Sequence, residues 1–205
     1  MARDLQNLLD HYRLERAVLV GHSMGALTLW QYLRDFGDAR VERLVFIDQS
    51  PRLLTDAVWP YGICGDFDAR RNAAFLRELE ADFAEGVLRL VAFGHNTRAR
   101  AAYLENGPAM QAARGHLRAL APQPLIACWA SLAAADYRDL LPAIARPVLL
   151  VHGGESNFYS ANTARFLRDQ IPGAQLSCYA GVDHSPHLGA RERFIADVQD
   201  FIGPC

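Results

Sequence analysis

The segment Val18-Leu19-Val20-Gly21-His22-Ser23-Met24-Gly25-Ala26 constrains this chain more than any other. A short apolar run leads into G-x-S-x-G, and a helix-forming stretch follows directly. In that setting the pattern predicts a sharp strand-to-helix turn with the serine at its apex. Gly21 and Gly25 remove Cβ atoms from the bend, and backbone strain of this kind collects at functional turns. Ser23 is expected to stand clear of the sheet, its hydroxyl free to attack a carbonyl. The N–H of Met24 opens the helix, where an unpaired donor and the helix dipole favour a developing oxyanion. The bland alternative is a plain glycine-bounded turn; the strand and helix on either side argue against it.

Bulk properties exclude several classes. The 205 residues are 51% hydrophobic and 21% charged, which suits one or two globular domains with a sizeable core. A formal net charge of −2 offers no electrostatic case for nucleic acid or anionic membranes. No stretch is apolar for long enough to span a bilayer, and the start, Met1-Ala2-Arg3-Asp4, has no apolar signal core, so a cytoplasmic location is expected. Cys64, Cys128, Cys178 and Cys205 are widely spaced, which predicts reduced, mostly packed thiols and no structural zinc site. No metal or cofactor is implied.

Along the chain, Leu5, Leu8, Leu9 and Tyr12 recur at helical spacing, so the chain opens with an amphipathic helix. Strand Ala17–Val20, the Ser23 turn and a helix over Met24–Phe36 follow, then a buried strand Leu44–Ile47 ending at Asp48. Residues 51–140 differ in character: they are rich in Ala, Leu and Arg, with helical stretches over Ala69–Phe93 and Thr97–Leu120. Pro147–Val151 makes a third strand and Gln175–Tyr179 a fourth, with helices over Asn162–Gln170 and Arg191–Ile202. Strands alternating with helices predict an α/β fold with a parallel sheet. The expected division is a core of 1–50 and 141–205 with an inserted helical cap over 51–140.

A serine nucleophile needs a base, and the base an orienting acid. Loops that follow parallel strands gather at one edge of the sheet, so His184, after the last strand, can meet the Ser23 turn; His187 is its neighbour and competitor. For the acid, Asp48 ends the second strand at that same edge, and Glu155 lies in the loop after the third. Asp183 adjoins His184 but would diverge from it. Asp48 is the preferred candidate, although an Asp before Gln-Ser-Pro also commonly caps a turn. His22 flanks the nucleophile and is expected to pack beside it, in reach of substrate. Trp59 and Tyr61, just after Asp48, are candidates for a substrate-pocket wall. His95 and His116, and Arg98, Arg100 and Arg114, read as solvent-facing residues of the inserted segment.

These residues resemble the α/β-hydrolase superfamily, of the capped kind that includes esterases and cofactor-free haloperoxidases. The matching pieces are V-L-V-G-H-S-M-G, L-V-F-I-D-Q-S-P, R-P-V-L-L-V-H-G and G-V-D-H-S-P-H-L. The resemblance implies Ser23 as nucleophile and His184 as base. Most members carry their acid in the loop after the third strand, two residues before Phe158, where Glu155, Ser156 and Asn157 lie and no Asp is present. Some place it after the strand of Leu44–Ile47, where Asp48 stands. A serine nucleophile disfavours the branches that use Asp instead.

Members also carry strands ahead of the nucleophile strand and an H-G loop that completes the oxyanion hole, and this sequence begins at the helix before Ala17. Loss of one oxyanion donor costs roughly 3–4 kcal/mol in the transition state. Strand Ala17–Val20 is expected to be an apolar sheet edge, suited to pairing with a second copy. A fragment of a longer enzyme, a homodimer through that edge, and a poorly active remnant are all compatible with the sequence. The leading expectation is a serine hydrolase of carboxylic esters or related small acyl substrates. The contrasting one is an inactive hydrolase-like module that binds a ligand or partner.

Overall fold

The computed structural model describes residues 1–203; Cys205 lies outside the described residues. Helix α1 (Ala2–His11) leads into β1 (Ala17–His22), α2 (Met24–Phe36) and β2 (Val41–Ile47). Five helices follow in succession: α3 (Ala69–Ala81), α4 (Phe83–Ala92), α5 (Thr97–Glu105), α6 (Pro108–Arg118) and α7 (Pro122–Ala134). The chain then returns through β3 (Val148–Gly153), α8 (Ala161–Gln170), β4 (Gln175–Tyr179), α9 (Pro186–Gly189) and α10 (Arg191–Ile202).

The strands form one parallel four-stranded sheet in the order β1-β2-β3-β4. All four therefore end at one edge, which brings the segments after His22, Ile47, Gly153 and Tyr179 together. The alternation along β2 and β3 explains their unbroken apolar runs. Leu44, Phe46 and Leu150 face a cluster with Leu27, Trp30 and Leu33 of α2, whereas Val45, Ile47, Leu149 and Val151 face Phe201 of α10. Each such fully buried side chain contributes about 1.5–3 kcal/mol. Among the described residues β1 pairs with β2 alone, and its Val20 is half exposed.

The structure corrects the inserted segment in three places. The helical stretch over Ala69–Phe93 breaks at Asp82, whose side chain accepts a hydrogen bond from Glu85 N (3.1 Å) and starts α4. The stretch over Thr97–Leu120 breaks at Asn106, which closes α5 in the left-handed conformation just before Gly107-Pro108. Helix α7, opened by Pro122, has no counterpart in the sequence reading, because Pro-Gln-Pro reads as a breaker although Pro is at home in a first helical turn. The inserted helices share a core with the sheet: Leu53, Ile63, Phe67, Phe75 and Leu79 join the cluster of Trp30 and Phe46. Cys64 and Cys128 are partly buried free thiols, whereas Cys178 is exposed rather than packed.

Candidate active site

Ser23 occupies the turn between β1 and α2 with φ 52° and ψ −119°, a left-handed conformation that a residue with a Cβ rarely adopts. Its N–H bonds to Ile47 O (3.0 Å), which ties the turn to the end of β2. The first helical bonds of α2 run from Ala26 N and Leu27 N to Ser23 O (2.9 and 3.4 Å), leaving the N–H of Met24 at the open end of the helix. The two glycines of the turn are not equivalent. A Cβ on Gly21 would lie 2.6 Å from the carbonyl carbon of Gly25, whereas one on Gly25 would meet nothing within 4 Å.

A cavity of about 220 Å³ opens on Ser23 and Met24. Leu53, Ile63, Leu90, Trp129, Leu132 and Phe158 supply most of its wall, and Gln49 and Tyr159 add polar groups. Among the described residues, no charged side chain lines it. Trp59 and Tyr61 are not on this wall. They line a separate, wider cleft of about 600 Å³ with Phe166, Arg34 and Arg138. Trp129, on helix α7, lines the cavity at Ser23 instead.

Asp48 leaves β2 in a left-handed conformation (φ 47°), and its N–H bonds to Val151 O (2.8 Å). Its side chain is completely buried between two imidazoles. Oδ2 lies 3.5 Å from Nδ1 of His184, and Oδ1 lies 3.1 Å from Nδ1 of His152. Neither carboxylate oxygen has an aligned hydrogen-bond donor among the described residues, so these contacts hold the group by proximity of charge and dipole. Burial pushes the Asp48 carboxyl up, and the His152 and His184 rings more than offset it, so the group is held below its ordinary value.

His184 follows β4 in a loop pressed against the end of β3. Gly153 makes that approach possible: a Cβ there would lie 1.8 Å from Asp183 O. Glu155 N–H bonds to Val182 O (2.8 Å) in the same contact. The rim of the ring is fixed by Phe158, edge-on at 4.6 Å between centroids. His22, expected beside the substrate, does not line the cavity; its Nε2 lies 2.8 Å from His184 O. A carbonyl only accepts, so Nε2 of His22 carries the proton. Burial lowers the His22 pKa, and the nearby His184 and His187 add to this against the opposing pull of the carbonyl and of Asp48. His187, 4.5 Å from His22 between centroids, is also lowered, first by burial and then by His184.

Glu155 is half exposed and pairs with Arg98 (2.6 Å), joining α5 to the loop after β3. Ser156, in the region where relatives of the resembled superfamily carry their acid, accepts from Phe158 N and Tyr159 N (both 3.3 Å). Arg114 pairs with Glu85 rather than facing solvent alone, and Arg98 is likewise engaged. His95 and His116 are exposed. His152 was not among the candidate residues read from the sequence. Its signal was available: it is a polar side chain in the otherwise apolar run Val148–Val151 of a buried strand. Among the described residues, no group of three or more His, Cys, Asp or Glu side chains is arranged to hold a metal, and no helix is long and apolar enough to cross a membrane.

Comparison with known proteins places this geometry in a family. Residues 1–190 match the family described as alpha/beta hydrolase fold. A pimeloyl-[acyl-carrier protein] methyl ester esterase of Aromatoleum aromaticum is 30% identical over 191 residues, covering 91% of this chain and 74% of that protein. Its namesake from Nitrosomonas europaea is 27% identical over 163 residues, of which this chain spans 60% of the length. The non-heme chloroperoxidase CPO-A1 of Kitasatospora aureofaciens is 25% identical over 98% of this chain and 73% of its own. Among solved structures, a bromoperoxidase from Bacillus anthracis superposes with a TM-score of 0.82 at 20% identity, covering 98% of this chain and 72% of that one. The esterase EaEST from Exiguobacterium antarcticum gives 0.78 at 22% identity, covering 97% and 70%. These structural likenesses bear on the fold, which is the same parallel sheet flanked by helices. The chain belongs to the alpha/beta hydrolase fold family.

Proposed function

We propose that this chain is a serine hydrolase of carboxylic esters, with Ser23 as nucleophile, His184 as base and Asp48 as the acid that orients it. The observation that carries the reading is the buried Asp48 carboxylate facing Nδ1 of His184, at the same sheet edge as the strained Ser23 turn. With Nδ1–H directed at Asp48, Nε2 of His184 is the free base that takes the Ser23 proton as Oγ adds to the ester carbonyl. The N–H of Met24 stabilises the oxyanion. His184 returns the proton to the departing alcohol, leaving an acyl group on Ser23. Water, deprotonated by the same imidazole, then releases the acid. This mechanism requires Ser23 Oγ and Nε2 of His184 to come into hydrogen-bond reach when substrate fills the site, as is common for catalytic contacts.

The uncharged wall of the 220 Å³ cavity favours a neutral, apolar acyl group, because an ion there would lose its hydration without a partner. The names of the relatives, esterases of an acyl ester among them, support the same reaction class. The inserted helices act as a cap over Ser23 through Ile63, Leu90 and Trp129.

Hydrolysis of p-nitrophenyl butyrate by acid-site variants tests the assignment. Asp48→Asn is expected to lower kcat by about 10⁴, the loss typical of a triad acid made unable to hold the right tautomer. Glu155→Gln, which breaks only the exposed pair with Arg98, is expected to stay within about threefold. The reverse pattern would transfer the acid to Glu155.

A further inference from the structure

We propose that His152 is a positioning residue for the ester hydrolysis proposed above: its Nδ1, 3.1 Å from one oxygen of Asp48, holds that oxygen by charge–dipole attraction so that the other is presented to His184. The inference rests on the reading of Asp48 as the acid. Asp48 faces an unusual problem for a buried carboxylate. No backbone N–H and no side-chain amide donates to it with aligned geometry, and both its oxygens lack such a partner among the described residues. What faces it is one ring nitrogen on each side, His152 Nδ1 at 3.1 Å and His184 Nδ1 at 3.5 Å. Tyr159, another titratable group that feels its charge, is fully buried, and its hydroxyl pKa is raised well above the ordinary value, first by burial, so it stays neutral.

The two rings differ in how firmly they are held. His184 rides on the loop after β4, tethered through its carbonyl to His22. His152 stands inside β3, which is paired on both sides: Val151 is in register with Ile47 of β2, and His152 itself with Cys178 of β4. Its side chain is buried, and its Nε2 has no partner among the described residues. A buried imidazole with one nitrogen unsatisfied is costly, and the polar side-chain contact it makes among the described residues is to Asp48. The fixed ring therefore draws Oδ1 to itself by charge–dipole attraction, and Oδ2 is left for His184. This is the task that outer partners perform for ligating or catalytic groups elsewhere.

Three variants separate this role from simple packing. In His152→Asn the amide nitrogen falls where Nδ1 was and can still donate to Oδ1. His152→Leu fills the space without a donor. His152→Gln, which carries its amide at the Nε2 position, replaces it if the leucine variant does not fold by near-ultraviolet circular dichroism. With p-nitrophenyl butyrate, the non-donating variant is expected to lose roughly 10–100-fold in kcat with KM within about twofold. His152→Asn is expected to recover to within about threefold of the native chain. In an Asp48→Asn background the His152 substitution is expected to have no further effect, since it acts through that carboxylate. A non-donating variant with native kcat, while Asp48→Asn is dead, overturns the positioning role alone. Equal losses in His152→Asn and His152→Leu overturn it too, because packing then suffices. Native activity in Asp48→Asn overturns the reading of the acid and the His152 role together.

Discussion

Ser23 is held at φ 52° and ψ −119°, and residues kept in such regions cost of the order of 1–3 kcal/mol. That cost buys a fixed direction for the hydroxyl. Ser23→Gly removes the Cβ that makes the conformation unfavourable, so the variant is expected to melt a few degrees higher than the native chain while losing ester hydrolysis. Ser23→Ala keeps the Cβ and is expected to lose activity without gaining stability. Differential scanning calorimetry of both distinguishes strain from a general tolerance of small residues; a glycine variant that melts lower than native contradicts the strain. At this scale the sequence was legible where chemistry leaves a local mark. Ser23 announces itself by its glycines, and His184 and Asp48 by following strands. His152 leaves a fainter mark, one polar side chain in an apolar strand, and its pairing with Asp48 at the end of β2 is visible only through the sheet register. Trp59 and Tyr61 followed Asp48 closely in the chain yet line another cleft, since proximity in sequence fixes no direction once the chain leaves the strand.

The elements meet at one sheet edge because close backbone approaches at Gly21 and Gly153 allow it. The contact of β3 with the loop of His184 depends on Gly153, where a Cβ would drive into Asp183 O at 1.8 Å. Gly153→Ala is therefore expected to displace that loop by an ångström or so and to lower kcat by about 10², the effect of a small misplacement of a catalytic group. It is also expected to lower the melting temperature. Activity within twofold of native would mean that the loop is placed by its other contacts. β2 and β3 were readable as continuous apolar runs because both faces of each are covered. The five inserted helices were readable only as helical material. Their breaks at Asp82 and Asn106 are set by caps, and a cap can be recognised only once the break is known.

For the molecule as a whole, acid is the natural stress. His22 and His187 are held below the ordinary histidine value and Asp48 below the ordinary carboxylate value. In each case the unfolded chain binds the proton more readily, so stability is complete above the ordinary values and is lost as pH falls. The loss is expected to begin below about pH 6.5, the ordinary histidine value, and to continue through the carboxylate range. Urea unfolding at pH 8, 6.5 and 5 is expected to give falling midpoints, with the His22→Asn, His187→Asn double variant falling less over that range. A midpoint that rises toward pH 5 contradicts the assignment. The fold class was legible from the alternation of strands and helices, because a parallel sheet needs crossovers. The shape of the Ser23 cavity was not, since α7 and the loop of Phe158 reach it from segments far apart in the chain. Acylation of Ser23 is a covalent event at one atom that requires all of these segments together. The native chain, mixed with p-nitrophenyl butyrate and quenched in acid within the first turnover, is expected to carry one butyryl group, mapped by mass spectrometry to the peptide containing Ser23 and absent from Ser23→Ala. An unmodified Ser23 peptide under conditions where ester is consumed, or the acyl group on another residue, would contradict it.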